Sequence, residues 1–238
     1  MKKIIQKGLV LAAGAAIASV LSATSASALL LSVSTDTTSN LGVTANIIDP
    51  IPVGFQVMDA TVFNTAQQGF NENQNYLLTE DLMVDGGVIE AGTRVASHMI
   101  FLNRENELST NHISHNDVKW TFSHKILGIM TDSPGLAEGL SSSFLGASGV
   151  AYPTSVLVDG VAVKVFDNRG LEGGGDAATY DAMIDPYSLM VSMYVTQPGD
   201  WIRVVTAVPL PAALPLYGAG VALLGFMGWR RRKIESAA

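Results

Sequence analysis

The chain predicts an all-β body, an antiparallel two-sheet sandwich of jelly-roll-like form, flanked by an N-terminal signal peptide and a C-terminal transmembrane helix. Three observations carry this expectation. Short apolar runs alternate with polar residues and are bounded by Gly, Asp, Asn and Pro, the period-two pattern of half-buried strands. An Asp-Gly pair joins two β-branched runs at Val156–Val158 and Val161–Val163, the signature of a two-residue type I′ turn. The two strongly apolar segments lie at the extreme ends, each beside a cluster of cations.

The first segment, residues 1–28, reads as a secretory signal. Lys2, Lys3 and Lys7 make a basic start, and Gly8 to Leu21 is an apolar stretch too short to span a bilayer comfortably. Ala26 and Ala28 place small residues at the −3 and −1 positions of a signal peptidase site, with cleavage expected after Ala28. An uncleaved anchor is the alternative; a lipoprotein is excluded because the chain has no Cys to carry lipid. Residues 29–44, rich in Ser and Thr, are expected to form a loose leader.

The sandwich is expected over residues 45–207, with about nine strands spaced by turn residues. A second hairpin is expected at Leu82–Val84 and Val88–Ile89 around Asp85-Gly86-Gly87. Val118, Trp120 and Phe122 alternate with Lys119 and Thr121, and Leu189, Val191, Met193 and Val195 alternate with Met190, Ser192 and Tyr194. Residues 55–63, 76–84 and 95–102 are further strand candidates, and Trp201 to Val208 is the last. Helix is scarce; residues 135–144 allow one or two turns.

Residues 208–233 form a three-part terminus, followed by a cytoplasmic tail at 234–238. Val208, Pro209, Leu210, Pro211 and Ala212 precede an uncharged stretch of Gly, Ala and Leu that ends at Trp229. Ala212 to Trp229 is 18 residues, near the lower limit for a spanning helix. Arg230, Arg231, Arg232 and Lys233 then act as a basic stop on the cytoplasmic side, which orients the helix with its C-terminus inside. The prolines keep the motif extended and unpaired, so that an enzyme can thread it.

Motif, helix and Arg cluster, in that order at that end, resemble the VPLPA variant of the PEP-CTERM sorting domain of Gram-negative bacteria. The resemblance covers about a tenth of the chain, and Leu210 stands where the commoner form has Glu. It implies recognition of Val208–Ala212 by a membrane-embedded exosortase that removes the helix. Within the body, Gly69–Asn75, Val84–Gly87, Ala91–Val95, Ser97-His98, Ile100-Phe101 and Gly199–Val204 resemble exported proteins that often bear this tail. That second resemblance implies an exported β-sandwich and transfers no catalytic residue.

Charge separates the body from its ends. Seven of the 14 Lys and Arg lie in the terminal segments with one of the 21 acids, leaving the body seven cations, 20 acids and a net charge near −13. A body this acidic repels phosphates, so nucleic acid is not an expected partner. With no Cys in an oxidising compartment, packing alone must hold the fold.

Candidate chemistry in the body is sparse. His112 and His115 lie in a polar Asn-rich stretch and lack a metalloprotease pattern; His98 and His124 share faces with apolar neighbours and read as hydrogen-bonded core histidines. Ser141–Ser143 and Ser148 lack a nucleophile-elbow context. Asp167, Glu172, Asp176, Asp181 and Asp185 spread through a Gly-rich segment that could order around Ca²⁺, which takes six to eight oxygens; a solvated acidic loop is the plainer reading. Trp201 is the one plausible surface platform for a ligand. No catalytic set emerges and no cofactor is required beyond that Ca²⁺ option.

Together these features lead to an expectation of an exported, exosortase-processed, non-enzymatic protein of the cell surface or extracellular matrix. Its expected partners are the Sec translocon, signal peptidase, exosortase, the inner membrane before processing, and extracellular polysaccharide. The alternatives are a carbohydrate-binding module using Trp201 and loop acids, and a secreted hydrolase using two carboxylates.

Overall fold

The computed structural model describes residues 27–57, 64–104, 111–153, 155–158, 161–164, 169–196, 199–208, 221, 222 and 226, with backbone only for 155–158 and 161–164. The chain divides into two compact units, Ser25–Leu210 and a second made of Met1–Thr24 with Pro211–Ala238. Residues 221, 222 and 226 of the second unit are helical and exposed. No helix among the described residues is long and apolar enough to cross a membrane; the expected span falls almost wholly outside them.

The body is mostly β. Its described elements are β1 (Leu30–Val33), β2 (Asn46–Ile47), β3 (Gln68–Asn71), β4 (Tyr76–Leu77), β5 (Leu82–Val84), β6 (Gly87–Ile89), β7 (Arg94–Asn103), β8 (Ile113–Phe122), β9 (Ile126–Met130), α1 (Leu136–Leu145), β10 (Ser155–Val158), β11 (Val161–Lys164), β12 (Ala177–Asp181), β13 (Asp185–Val195) and β14 (Gly199–Ala207). One sheet has the order β1-β8-β13-β12, all antiparallel. The other runs β2-β3-β7-β14-β9, with β4 also on β7 and a single parallel pair, β2 with β3.

The two large sheets share a core. Ile100 and Leu102 of β7 and Ile202 and Val204 of β14 meet Val118, Trp120 and Phe122 of β8 and Leu189, Val191 and Met193 of β13. The predicted alternation on β8 and β13 holds: these residues point inward, while Lys119, Met190 and Tyr194 are exposed. Each large apolar side chain buried here stabilises the fold by about 1.5–3 kcal/mol.

The second sheet is buried on both faces, which the alternation did not foresee. Residues 95–103 of β7 and 199–206 of β14 are buried without a break. Val95, Met99, Phe101, Trp201 and Val205 point away from the shared core and are covered by α1, by the segment around Val57 and Phe55, and by residues 144–152. The short helix expected at 135–144 is therefore a full element that roofs a sheet. Asp132 holds its start: Oδ2 accepts the Leu136 N–H at 2.9 Å and Oδ1 that of Ala137 at 3.0 Å. These bonds satisfy two N–H groups that a helix start leaves without intrahelical partners, a role Gly135 at the N-cap position has no side chain to fill.

Both predicted hairpins form. Val158 pairs with Val161 across the Asp159-Gly160 turn, which lies outside the described residues. Val84 pairs with Gly87, so the second turn is the two residues Asp85-Gly86 and not three, with Gly86 at φ +78°. Elsewhere the expectations need correction. The 29–44 segment is no loose leader throughout, because Leu30–Val33 pairs with β8 and Leu30 enters the core. The segment 167–185 is not one loop: β12 and the start of β13 occupy it. No strand forms over 51–57, where Gln56 makes only an isolated bridge to Ala151; residues 58–63 lie outside the described set.

Candidate functional site: the terminal pole and the buried polar networks

The two ends of the sandwich leave it beside one turn. Leu29 donates its N–H to Ser123 Oγ at 2.7 Å, and its carbonyl accepts the Ser123 N–H at 2.8 Å. Ala207, the last residue of β14, donates to the Lys125 carbonyl at 2.9 Å, and Val208 donates to the Arg94 carbonyl. The β8–β9 turn, Ser123–Lys125, thus touches the chain immediately after the expected signal cleavage and immediately before the Pro-containing motif. Ala28 is fully buried. Ala26, Pro209, Leu210, Pro211, Ala212 and the basic stop Arg230, Arg231, Arg232 and Lys233 lie outside the described residues.

The described residues among the expected Ca²⁺ ligands do not meet at one point: Glu172 lies with Asp176 at one end of β12 and Asp181 with Asp185 at the other. Asp176 caps one end of β12, with Oδ1 accepting the Tyr194 N–H at 2.5 Å and Oδ2 the Glu172 N–H at 3.3 Å. Asp181 closes the β12–β13 turn by accepting the N–H groups of Met183 at 2.8 Å and Ile184 at 2.9 Å. Asp185 pairs across the strands with Asp181 and binds Lys119 Nζ at 3.2 Å. The strand between Asp176 and Asp181 separates these groups by about 16 Å. Asp167 lies outside the described residues, among which no group of three metal-ligating side chains occurs. The intervening strand β12, unseen in the sequence, is the physical reason.

Trp201 is not a surface platform. Its side chain is fully buried against Val57, Phe70, Phe101 and Tyr152. The Arg169 guanidinium stacks over the indole at 5.1 Å, while Arg169 Nη2 donates to the Val57 carbonyl at 3.0 Å and to Asn103 Oδ1 at 2.8 Å. A Cβ at Gly135 would stand 2.5 Å from Trp201 Nε1, so bare backbone lies against the edge of the ring there.

Sequence reasoning missed the most connected polar group. Arg203 is fully buried under α1. It forms a fork with Glu72, Nε to Oε2 at 2.7 Å and Nη2 to Oε1 at 2.8 Å. Nη1 donates to the Glu138 carbonyl and to Ser141 Oγ, both at 2.5 Å, and Nη2 to Ser142 Oγ at 3.0 Å. Tyr152 lies against the guanidinium at 5.7 Å and accepts the Ala147 N–H through its hydroxyl. Burial opposes the Arg203 charge, but the Glu72 carboxylate outweighs it and raises the pKa. Burial, and the Asp132 carboxylate beside it, push the Glu138 carboxyl well above its usual range. Asp200 is driven the same way, first by burial and then by Asp176 and Glu172. An Arg in a strand that also carries Trp201 and Val205 was the available signal: a cation at a core-facing register needs a buried anion.

The histidines divide. His98 is the expected core histidine, its ring bridging Asn71 Oδ1 at 2.8 Å and Thr206 Oγ1 at 3.0 Å. His115 is buried on β8, not in a loop; Nδ1 accepts the Gln67 N–H at 3.3 Å. His112 is exposed and stacks on Tyr194 at 4.4 Å. His124 falls in the turn after β8, half-buried, with Nδ1 2.8 Å from Ser123 Oγ, and is not a core residue.

Burial holds the His98 pKa down at about 3 against an ordinary 6.5. Below pH 6.5 the unfolded chain takes up a proton there that the native chain refuses. His98 therefore removes stability as pH falls from 6.5 toward 3, by up to about 1.4 kcal/mol per unit, and contributes no slope above 6.5. Glu138 and Asp200 act oppositely, since their raised pKa values make stability fall as pH rises above the unfolded carboxylate range. Subtracting the urea-unfolding pH profile of His98→Gln from that of the parent isolates the histidine. The difference is expected to slope only between pH 3 and 6.5; a flat difference contradicts a buried neutral ring.

Comparison with protein-family models, curated proteins and solved structures finds no match for this chain.

Proposed function

We propose that the chain is the precursor of an exported protein of a Gram-negative cell surface or extracellular matrix. It is delivered through the Sec translocon, cut after Ala28, held in the inner membrane by its C-terminal apolar helix, and released from that helix by an exosortase acting at Val208–Ala212. The body is a displayed, non-catalytic sandwich associated with extracellular polysaccharide.

The observation that carries this reading is the tripartite terminus of motif, 18-residue apolar stretch and four adjacent cations, opposite a basic, apolar, Ala-x-Ala start. The exit of both ends beside Ser123–Lys125 supports it, because one pole of the domain can then face the membrane that holds them. A non-catalytic body is supported by where its polar chemistry goes. Arg203, Glu72, Arg169 and His98 are buried in hydrogen bonds to one another, to backbone carbonyls or to neighbouring side chains, beyond reach of a solvent-borne substrate. On this reading the Ala28–Leu29 bond is cut before the sandwich closes, since Ala28 is buried and Leu29 is paired in the folded chain.

Intact-mass analysis of the extracellular product tests the proposal. The expected mass lacks residues 1–28 and the Arg230–Lys233 cluster, and Pro209→Ala/Pro211→Ala leaves a longer, cation-bearing form in the membrane fraction. An extracellular product that retains the cluster refutes processing.

A further inference from the structure

We propose that the pole carrying both chain exits is a bilayer-docking surface, with the β12–β13 tip as its apolar anchor. The inference rests on the reading of the terminal segments as membrane-directed.

Strand register assembles this pole. Ser188 stands opposite Thr121 in an antiparallel pair, so the start of β13 and the tip before it lie at the same end of the sheet as the Ser123–Lys125 turn. At that tip Met183 is 93% and Ile184 84% exposed, although Asp181 fixes both backbones through their N–H groups. Two adjacent, fully presented apolar side chains on a rigid hairpin have no partner within the described body. At the same end of the fold Leu29 and Leu31 at β1 and Tyr187 of β13 are exposed too, as is Leu77, which pairs with Arg94 next to the Val208 exit. Of the exposed apolar side chains in the described body, the adjacent pair Met183 and Ile184 is the one presented together at a hairpin tip, the form an apolar anchor takes.

Charge singles out the same pole. The body is strongly acidic, yet the exposed Lys and Arg side chains among its described residues are Arg94, Lys119 and Lys125. Arg94 accepts Val208 at its carbonyl, Lys125 accepts Ala207, and Lys119 reaches Asp185 beside the tip. Arg104, Arg169 and Arg203 are buried, and Lys164 lies in β11, of which only the backbone is described. Lys119 is paired with Asp185, which leaves Arg94 and Lys125 beside the exit to meet headgroup phosphates while the apolar tip at the same end meets acyl chains. The occupant is a lipid bilayer because the chain beyond Leu29 and Val208 continues from this pole into its two apolar segments. An acidic body otherwise repelled by anionic headgroups would be oriented with this end down, which brings Val208 to the depth at which a membrane enzyme works.

The chain has no Cys, so Met183→Cys in the full-length precursor gives a single labelling site. Val53→Cys is the control: Val53 is fully exposed, in the segment whose Phe55 packs on Phe101 near the far end of β7. With an environment-sensitive fluorophore and nanodiscs of phosphatidylethanolamine and phosphatidylglycerol carrying spin-labelled lipid, the label at 183 is expected to be quenched several-fold more than that at 53. Equal, water-like quenching at both sites in chain that has entered the discs overturns docking and leaves the terminal reading intact. Failure of the chain to enter the discs overturns both.

Discussion

Arg203→Met is expected to lower the free energy of unfolding by about 3–5 kcal/mol, the usual cost of leaving one member of a buried ion pair alone. Glu72 would keep its carboxylate beneath α1 without the two guanidinium bonds of 2.7 and 2.8 Å. The Glu138 carbonyl and Ser141 Oγ would each lose a donor at 2.5 Å. Urea unfolding is the measurement, read as a shifted midpoint at constant slope. The double variant Arg203→Met/Glu72→Leu is expected to recover part of the loss, because removing both charges also removes their desolvation cost. A single variant within about 0.5 kcal/mol of the parent, the range of an ordinary surface substitution, would mean that this pair is wet in solution.

Trp201→Ala is expected to destabilise the body by about 3–5 kcal/mol, the range for deleting a fully buried indole. The void would open between Phe70, Phe101, Val57 and Tyr152, and the Arg169 guanidinium would lose the ring it stacks upon. Trp201→Phe keeps an aromatic surface and should cost less. Acrylamide quenching of Trp201 fluorescence, with Trp120 and Trp229 replaced by Phe, is expected to approach that of a buried indole. A stable Trp201→Ala protein with altered glycan binding would restore the surface-platform expectation and contradict the packing described above.

Strands whose two faces meet different environments were legible. On β8 and β13 the alternation of Val118, Trp120 and Phe122, and of Leu189, Val191 and Met193, reads directly as one wet and one dry side. The core role of His98 followed from its register with Ile100 and Leu102. The same logic failed one step past a strand end: His124 continues the Phe122 face on paper, but the chain turns at Ser123. It failed again on β14, where Trp201 was placed on a wet face that α1 and the Val57 segment in fact cover. The acids from Glu172 to Asp185 looked like a cluster because sequence distance counts residues, whereas an extended strand sets its two ends about 16 Å apart.

What the sequence determined alone is local or compositional: the alternating strands, the Asp-Gly hairpins, an acidic body without Cys, and terminal segments whose hydropathy and charge follow from adjacent residues. Only the tertiary structure decided that β7 and β14 are dry on both sides, that Arg203 meets Glu72 across 131 residues, and that Leu29 and Ala207 leave beside one turn. Burial and ion pairing depend on which distant surfaces meet, and strand register between remote segments sets that, whereas periodicity reports only how a residue relates to its immediate neighbours.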